Sequence, residues 1–165
     1  MTKQALKLVE PTVERDTLEG YEPLLICTGE QLETYWPQMA DVLQRCVDKA
    51  MHGEMTVNDI YEGIKAARMY AMIAKNDEGE LPDVALVLIL ETQAYPQYTV
   101  LNIAALGGRE LDLLKSKFWT HVCSWAFMNG VRTMQASVSP AMARILKRYG
   151  FNKIYETVRL DLTEM

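Results

Sequence analysis

The sequence predicts one mixed α/β domain: an antiparallel meander, then a right-handed parallel crossover, with helices on both faces of the sheet. Three observations carry that expectation. Apolar residues recur at spacings of three and four across 28–51 and 109–129, the period of a helix with one buried stripe. Apolar runs of strand length, Val84 to Thr92 above all, are bounded by turn-rich segments such as Asn76-Asp-Glu-Gly-Glu80. Late in the chain the order becomes strand, helix, strand, and such crossovers are right-handed. The predicted order is β-α-α-β-β-β-α-β-α-β.

Each element has its own signal. Residues 1–21 are polar and aperiodic, with Pro11 and Gly20, and read as an extended arm; residues 22–165 form the domain. Glu22 to Cys27 reads as a short strand, and Thr28 as the cap of a helix reaching about Met51. Leu32, Trp36, Met39, Leu43 and Val47 form its stripe, which Pro37 should kink or interrupt. Thr56 caps a second helix, with Asp59 completing a capping box. Met69–Lys75, Val84–Thr92 and Tyr98–Leu106 are the meander strands. A helix follows from Arg109 to about Asn129, with Leu111, Leu114, Phe118, Val122 and Trp125 on one face and Asn129-Gly130 as its left-handed end. Thr133–Val138 is a strand, Ser139-Pro140 opens the last helix, and Tyr149-Gly-Phe151 closes it. Ile154–Leu162 is expected to be the final strand.

Composition narrows the function classes. A chain of 165 residues buries enough surface to need no staples. Cys27, Cys46 and Cys123 are odd in number and widely spaced, so they read as buried reduced thiols. His52 and His121 stand apart from any other metal ligand, and no metal is expected. No apolar run reaches the roughly 18 residues of a membrane span, and the polar start lacks the apolar centre of a signal peptide. Residues 1–108 hold 8 basic and 17 acidic side chains, whereas residues 109–153 hold 8 basic and 2 acidic. That asymmetry points to an anionic ligand or partner on the second half, or to solvated helix faces. No basic patch interleaved with aromatics marks a nucleic-acid site.

The late segment Ser139-Pro-Ala-Met-Ala-Arg-Ile-Leu-Lys-Arg-Tyr-Gly-Phe151 resembles the helix pattern N-x-x-A-x-x-x-Y-x-x-x-G-F of the Gcn5-related N-acetyltransferase (GNAT) superfamily, and the element order over residues 22–162 is similar to that three-layer fold. A narrower resemblance is to a GNAT-like family of phages and prophages. It rests on Trp36-Pro37, His52-Gly-Glu-Met-Thr-Val-Asn-Asp-Ile60, Leu90-Glu-Thr92 with Tyr95-Pro96, Gly107-Gly108 with Leu111-Asp112, and Trp125-Ala126. The late helix is also similar to that of a GNAT-like internal virion protein of short-tailed coliphages.

The superfamily resemblance implies three requirements. The first is a pyrophosphate cradle whose amides meet phosphate. Here the equivalent is Ala105-Leu-Gly-Gly-Arg-Glu110, so Leu106, Gly107, Gly108 and Arg109, with Ser139, are the candidate cofactor-binding residues. The glycine spacing differs from the family's, and Glu110 and Asp112 would already satisfy the following helix dipole and repel an anion. Glycines for a tight turn and acids for an N-cap explain the same residues. The second requirement is a general base, often a Glu beside the cradle strand. Glu91 is the acid in reach, with Tyr98 as a weaker alternative. The third is a general acid, a tyrosine at the position held here by Leu146, which cannot donate a proton. Tyr149 lies three residues on, about 60° away around the helix axis.

Two readings result. The favoured one is a non-catalytic GNAT-like phage protein without a cofactor, serving in the virion or its assembly. Its N-terminal arm would pack on other phage structural proteins, on a second copy, or along its own sheet edge, and its place would be the virion or the host cytoplasm. The alternative is an acetyl-CoA-dependent N-acetyltransferase acting on a protein or a small amine. An open gap between the cradle strand and the Thr133–Val138 strand would favour acetyl-CoA; a plugged one would favour the scaffold.

Overall fold

A computed structural model describes residues 20–109 and 117–164. The elements are β1 (Glu22–Leu25), α1 (Gly29–Ala50), α2 (Val57–Lys65), β2 (Tyr70–Asn76), β3 (Asp83–Ala94), β4 (Thr99–Gly108), α3 (Lys117–Met128), β5 (Met134–Ala136) and α4 (Pro140–Lys147), with a 3-10 turn at Leu162–Glu164. The five strands form one sheet in the order β1-β2-β3-β4-β5. The first three pairings are antiparallel and β4 to β5 is parallel. This is the mixed α/β architecture that the sequence predicts. The arm, and Glu110, Leu111, Asp112 and Leu114, lie outside the described residues.

Both early helices start where local chemistry places them. At α1 the Gln31 N–H donates to Thr28 Oγ1 (3.1 Å) and the Thr28 N–H donates to Gln31 Oε1 (3.2 Å). At α2 the Asp59 N–H donates to Thr56 Oγ1 (3.1 Å) and the Thr56 N–H to Asp59 Oδ2 (2.9 Å). Each box satisfies helix-start donors that would otherwise be orphaned. Pro37 does not interrupt α1, which runs through it as one helix. Pro37 is exposed, so water can satisfy the carbonyl that its missing N–H leaves free. The buried stripe is Leu32, Tyr35, Met39, Val42 and Leu43, while Trp36 and Val47 sit half-buried at its border. Trp36 there packs edge-on against Tyr61 of α2, 4.9 Å between ring centres.

The sheet separates two apolar layers. Ala71, Ile73, Val87, Ile89 and Ala105 face α1 and α2. Met72, Leu86, Leu88, Leu90, Leu101 and Ile103 face α3, which supplies Phe118, Val122 and Ala126 at four-residue steps. Trp125 lies half-buried beside them, its ring 5.7 Å from that of Tyr70. Gly130 ends α3 at φ +84°, and the Val131 N–H donates to Ala126 O (3.0 Å), closing a left-handed cap.

Two further expectations need correction. Ile154–Leu162 does not form a strand; its residues are exposed and only the 3-10 turn follows. Its alternation of apolar and polar residues fits a strand, but it pairs with no strand of the sheet. Arg159 instead reaches the connection between α1 and α2, donating to Glu54 Oε2 (3.2 Å) and His52 O (3.4 Å). Cys27, expected to be buried, is exposed, while Cys46 and Cys123 are half-buried.

Candidate active site

The site is built by a disturbance in β4. Ile89 pairs with Ala105 and Leu90 with Ile103, so Ala104 is an extra residue, a bulge. The side chains register the slip: Leu101 and Ile103 face the α3 layer, Ala104 and Ala105 both face the α1 layer, and Leu106 returns to the α3 side. The backbone registers it too. The Leu101 N–H donates outward to Thr133 O beside β5 (3.0 Å), whereas the Arg109 N–H donates inward to Ala85 O of β3 (2.9 Å). In an unbroken strand, residues an even number apart point their N–H groups to the same side. One inserted residue reverses that phase. Beyond the bulge the outward N–H groups are therefore those of Leu106 and Gly108.

At the same place β5 leaves. The β4–β5 ladder holds only Leu101 with Met134, Asn102 with Gln135, and Ile103 with Ala136. Beyond Ile103, β4 runs on to Gly108 with β3 alone, so its outer edge pairs with no strand among the described residues.

The candidate cofactor residues occupy this edge. Gly107 and Gly108 are the last residues of β4, not a turn after it. A Cβ on Gly108, whose φ is +137°, would lie 2.1 Å from Ala85 O. A Cβ on Gly107 would meet Val42 Cγ1 of α1 at 3.2 Å. Close approach of β3 thus demands a glycine at 108, while α1 leaves only a tight fit for a side chain at 107. Arg109 has its amide on Ala85 O, and its guanidinium donates to Asp83 Oδ2 (2.8 Å) and to the Tyr21 hydroxyl (2.9 Å). The Tyr21 hydroxyl donates in turn to Asp83 Oδ2. Arg109 first, then Tyr21, holds the Asp83 carboxyl below its usual range, and Asp83 raises Tyr21. Ser139 caps α4, its Oγ accepting from the Met142 N–H (3.2 Å).

Glu91 sits half-buried on β3, opposite Asn102 of β4 and one pair below the bulge. Asn102 Nδ2 donates to Glu91 Oε1 (3.4 Å). Asp83 is the other acid of β3; β4 and β5 contain none. Tyr98 is 56% exposed on the β3–β4 hairpin, its ring 5.6 Å from that of Tyr95. Gln135 of β5 joins this cluster: its Nε2 donates to Gln93 Oε1 (3.2 Å) and to the Tyr95 hydroxyl (3.0 Å). Sequence reasoning missed Asn102 and Gln135. Polar residues in the middle of otherwise apolar strands were the signal for them.

Tyr149 lies apart, half-buried at the end of α4 with its ring 6.2 Å from Trp119. Leu146 is 3% exposed. Leu146→Tyr should therefore destabilise the fold by roughly 1–3 kcal/mol, because the ring must displace packed neighbours. A thermal melt checks this; an unchanged midpoint would mean that the position opens onto the gap. Among the described residues no group of three or more His, Cys, Asp or Glu is placed to hold a metal ion, and no helix is long and apolar enough to cross a membrane.

No family model matches the chain, and no curated protein does. Solved structures do match in fold. A predicted acetyltransferase of Clostridium acetobutylicum, crystallised with acetyl-CoA, superposes with a TM-score of 0.63 at 10% identity, covering 88% of this chain and 98% of its own. A GNAT-family acetyltransferase of Staphylococcus aureus gives 0.60 at 8% identity, covering 87% and 99%. The aminoglycoside N-acetyltransferase AAC(6')-Iy in complex with CoA gives 0.58 at 12% identity, covering 85% and 98%. With an unbroken meander, a bulged β4 and a parting β5, the chain has the GNAT fold.

Proposed function

We propose that this protein is an acetyl-CoA-dependent N-acetyltransferase. The observation that carries the reading is the bulged edge of β4, where the phase of the strand turns the Leu106 and Gly108 N–H groups to the side on which β5 no longer pairs. Backbone donors along an opened strand edge fit a ligand rich in amide and phosphate acceptors, because they bind without a side chain to reorganise. The fold neighbours that hold acetyl-CoA or CoA support the same reading. The scaffold alternative rests on Glu110 and Asp112 and on the N-terminal arm, which lie outside the described residues, and on Leu146.

Acetyl-CoA would supply an acetyl group already activated as a thioester. Glu91, one pair below the bulge, would take the proton from the incoming amine, and Asn102 would hold its carboxylate in place. Leu146 offers no acid, but a departing thiol has a pKa of about 8.5 and leaves as thiolate with little help. Holding the two reactants together is itself a large part of the rate.

Isothermal titration tests this directly. A micromolar dissociation constant for acetyl-CoA is expected, with a rise in melting temperature on binding. No heat up to millimolar acetyl-CoA would overturn the proposal and restore the scaffold reading.

A further inference from the structure

We propose, building on the transferase reading, that the acceptor is a small amine with two or more positive charges, and that Asn102 and Gln135 position it beside Glu91. Glu91, Asn102 and Gln135 stand opposite one another on three adjacent strands, β3, β4 and β5. Neighbouring strands lie about 4.8 Å apart, so the three form one short polar row across the sheet. Val87 and Ile89 face α1 and α2, and Glu91 continues their alternation on that face.

Three of the four amide N–H donors of this row are already spent. Asn102 Nδ2 is on Glu91, and because a carboxylate only accepts, this fixes the orientation of the amide. Gln135 Nε2 is on Gln93 and Tyr95. What remains is one Asn102 N–H against the acceptors of the Glu91 carboxylate, Asn102 Oδ1 and Gln135 Oε1, so acceptors predominate. An ammonium group has three donors and no acceptor, so it complements such a row. A carboxylate or phosphate does not.

Charge is layered in the same sense. Residues 29–65, the α1 and α2 layer on the side of the row, hold seven acidic and three basic residues. Residues 117–153, which include α3 and α4, hold six basic residues and no acid. The row needs one positive charge. The acidic layer above it favours a second on the same molecule, and steers such a molecule to this face.

Steady-state acetyl transfer to spermidine, n-hexylamine and glutamate is the experiment, with spermidine binding followed separately by titration in the presence of CoA. Spermidine should show a KM at least about tenfold below that of hexylamine, and glutamate should not react. The gap should narrow as salt rises from about 0.05 M to about 0.5 M. Gln135→Leu should raise the spermidine KM roughly tenfold with a smaller effect on kcat, whereas Asn102→Leu should raise KM and lower kcat together because Asn102 also holds Glu91; acetyl-CoA affinity holds in both. Gln135→Glu should keep the low KM, since it preserves an acceptor; if Gln135 only braced the hairpin, both Gln135 variants would behave alike. Equal kcat/KM for hexylamine and spermidine would overturn the inference and leave the transferase reading standing. Spermidine binding without any acetyl-CoA binding would keep the cationic subsite and overturn the transferase reading.

Discussion

Gly108→Ala should destabilise the protein by roughly 3–5 kcal/mol, lowering its melting temperature by on the order of 10 °C. Two costs add. A φ of +137° is glycine territory, and the new methyl would lie 2.1 Å from the Ala85 carbonyl oxygen and 2.8 Å from Leu86 Cα. Those atoms are backbone of β3, in the middle of the sheet, and cannot swing aside. Neighbouring glycines serve as controls. Gly130 also has positive φ, +84°, but nothing lies within 4 Å of its would-be Cβ, so Gly130→Ala should cost only its conformational strain, roughly 1 kcal/mol. Gly107→Ala meets mainly the Val42 and Cys46 side chains, which can give a few tenths of an ångström. Chemical denaturation of the three variants checks the order. If Gly108→Ala proved as mild as Gly130→Ala, the close β3–β4 approach described above would be wrong.

Glu91→Gln should lower kcat/KM for acetyl transfer by about two to four powers of ten while leaving the fold and acetyl-CoA affinity intact. Gln is the same size and still offers an oxygen to Asn102 Nδ2, so the local hydrogen bond survives. What disappears is the capacity to take a proton. Thiol release from acetyl-CoA in the presence of an amine reads the effect. A variant with undiminished rate would move the base elsewhere, with exposed Tyr98 the first residue to replace by Phe.

The frame of the fold was legible because its signals are local. Thr28 and Thr56 stand at helix starts with side-chain partners three residues on, and each partner does what its chemistry allows. The meander follows from apolar runs separated by turn residues. The centre of the site was not legible, because the bulge falls within Ile103-Ala-Ala-Leu106, a run of small and apolar residues that any strand would accept. Only pairing with β3 and β5 shows that one of them is extra. In sequence Gly107 and Gly108 look like turn residues, as two adjacent glycines usually are; their reason lies in what packs against them, which sequence does not display. Ile154–Leu162 failed for the opposite reason. Its alternation is correct for a strand, yet a strand also needs a partner edge, and pattern alone cannot supply one.

The β3–β4 ladder runs over nine residue pairs, the β4–β5 ladder over three. Cooperative unfolding tends to follow such inequalities, with the least-bonded boundary yielding at lower free energy than the whole. The body from β1 to β4 therefore forms one tight unit, and the segment from β5 through α4 is held to it by a short hinge of hydrogen bonds plus the apolar contacts of α3 and Leu146. Breathing along that boundary would part the two strands further without disturbing the rest of the sheet. The parting of β5 from β4 thus also makes this a compliant line in the described fold, one that can flex at little cost to the remainder of the sheet.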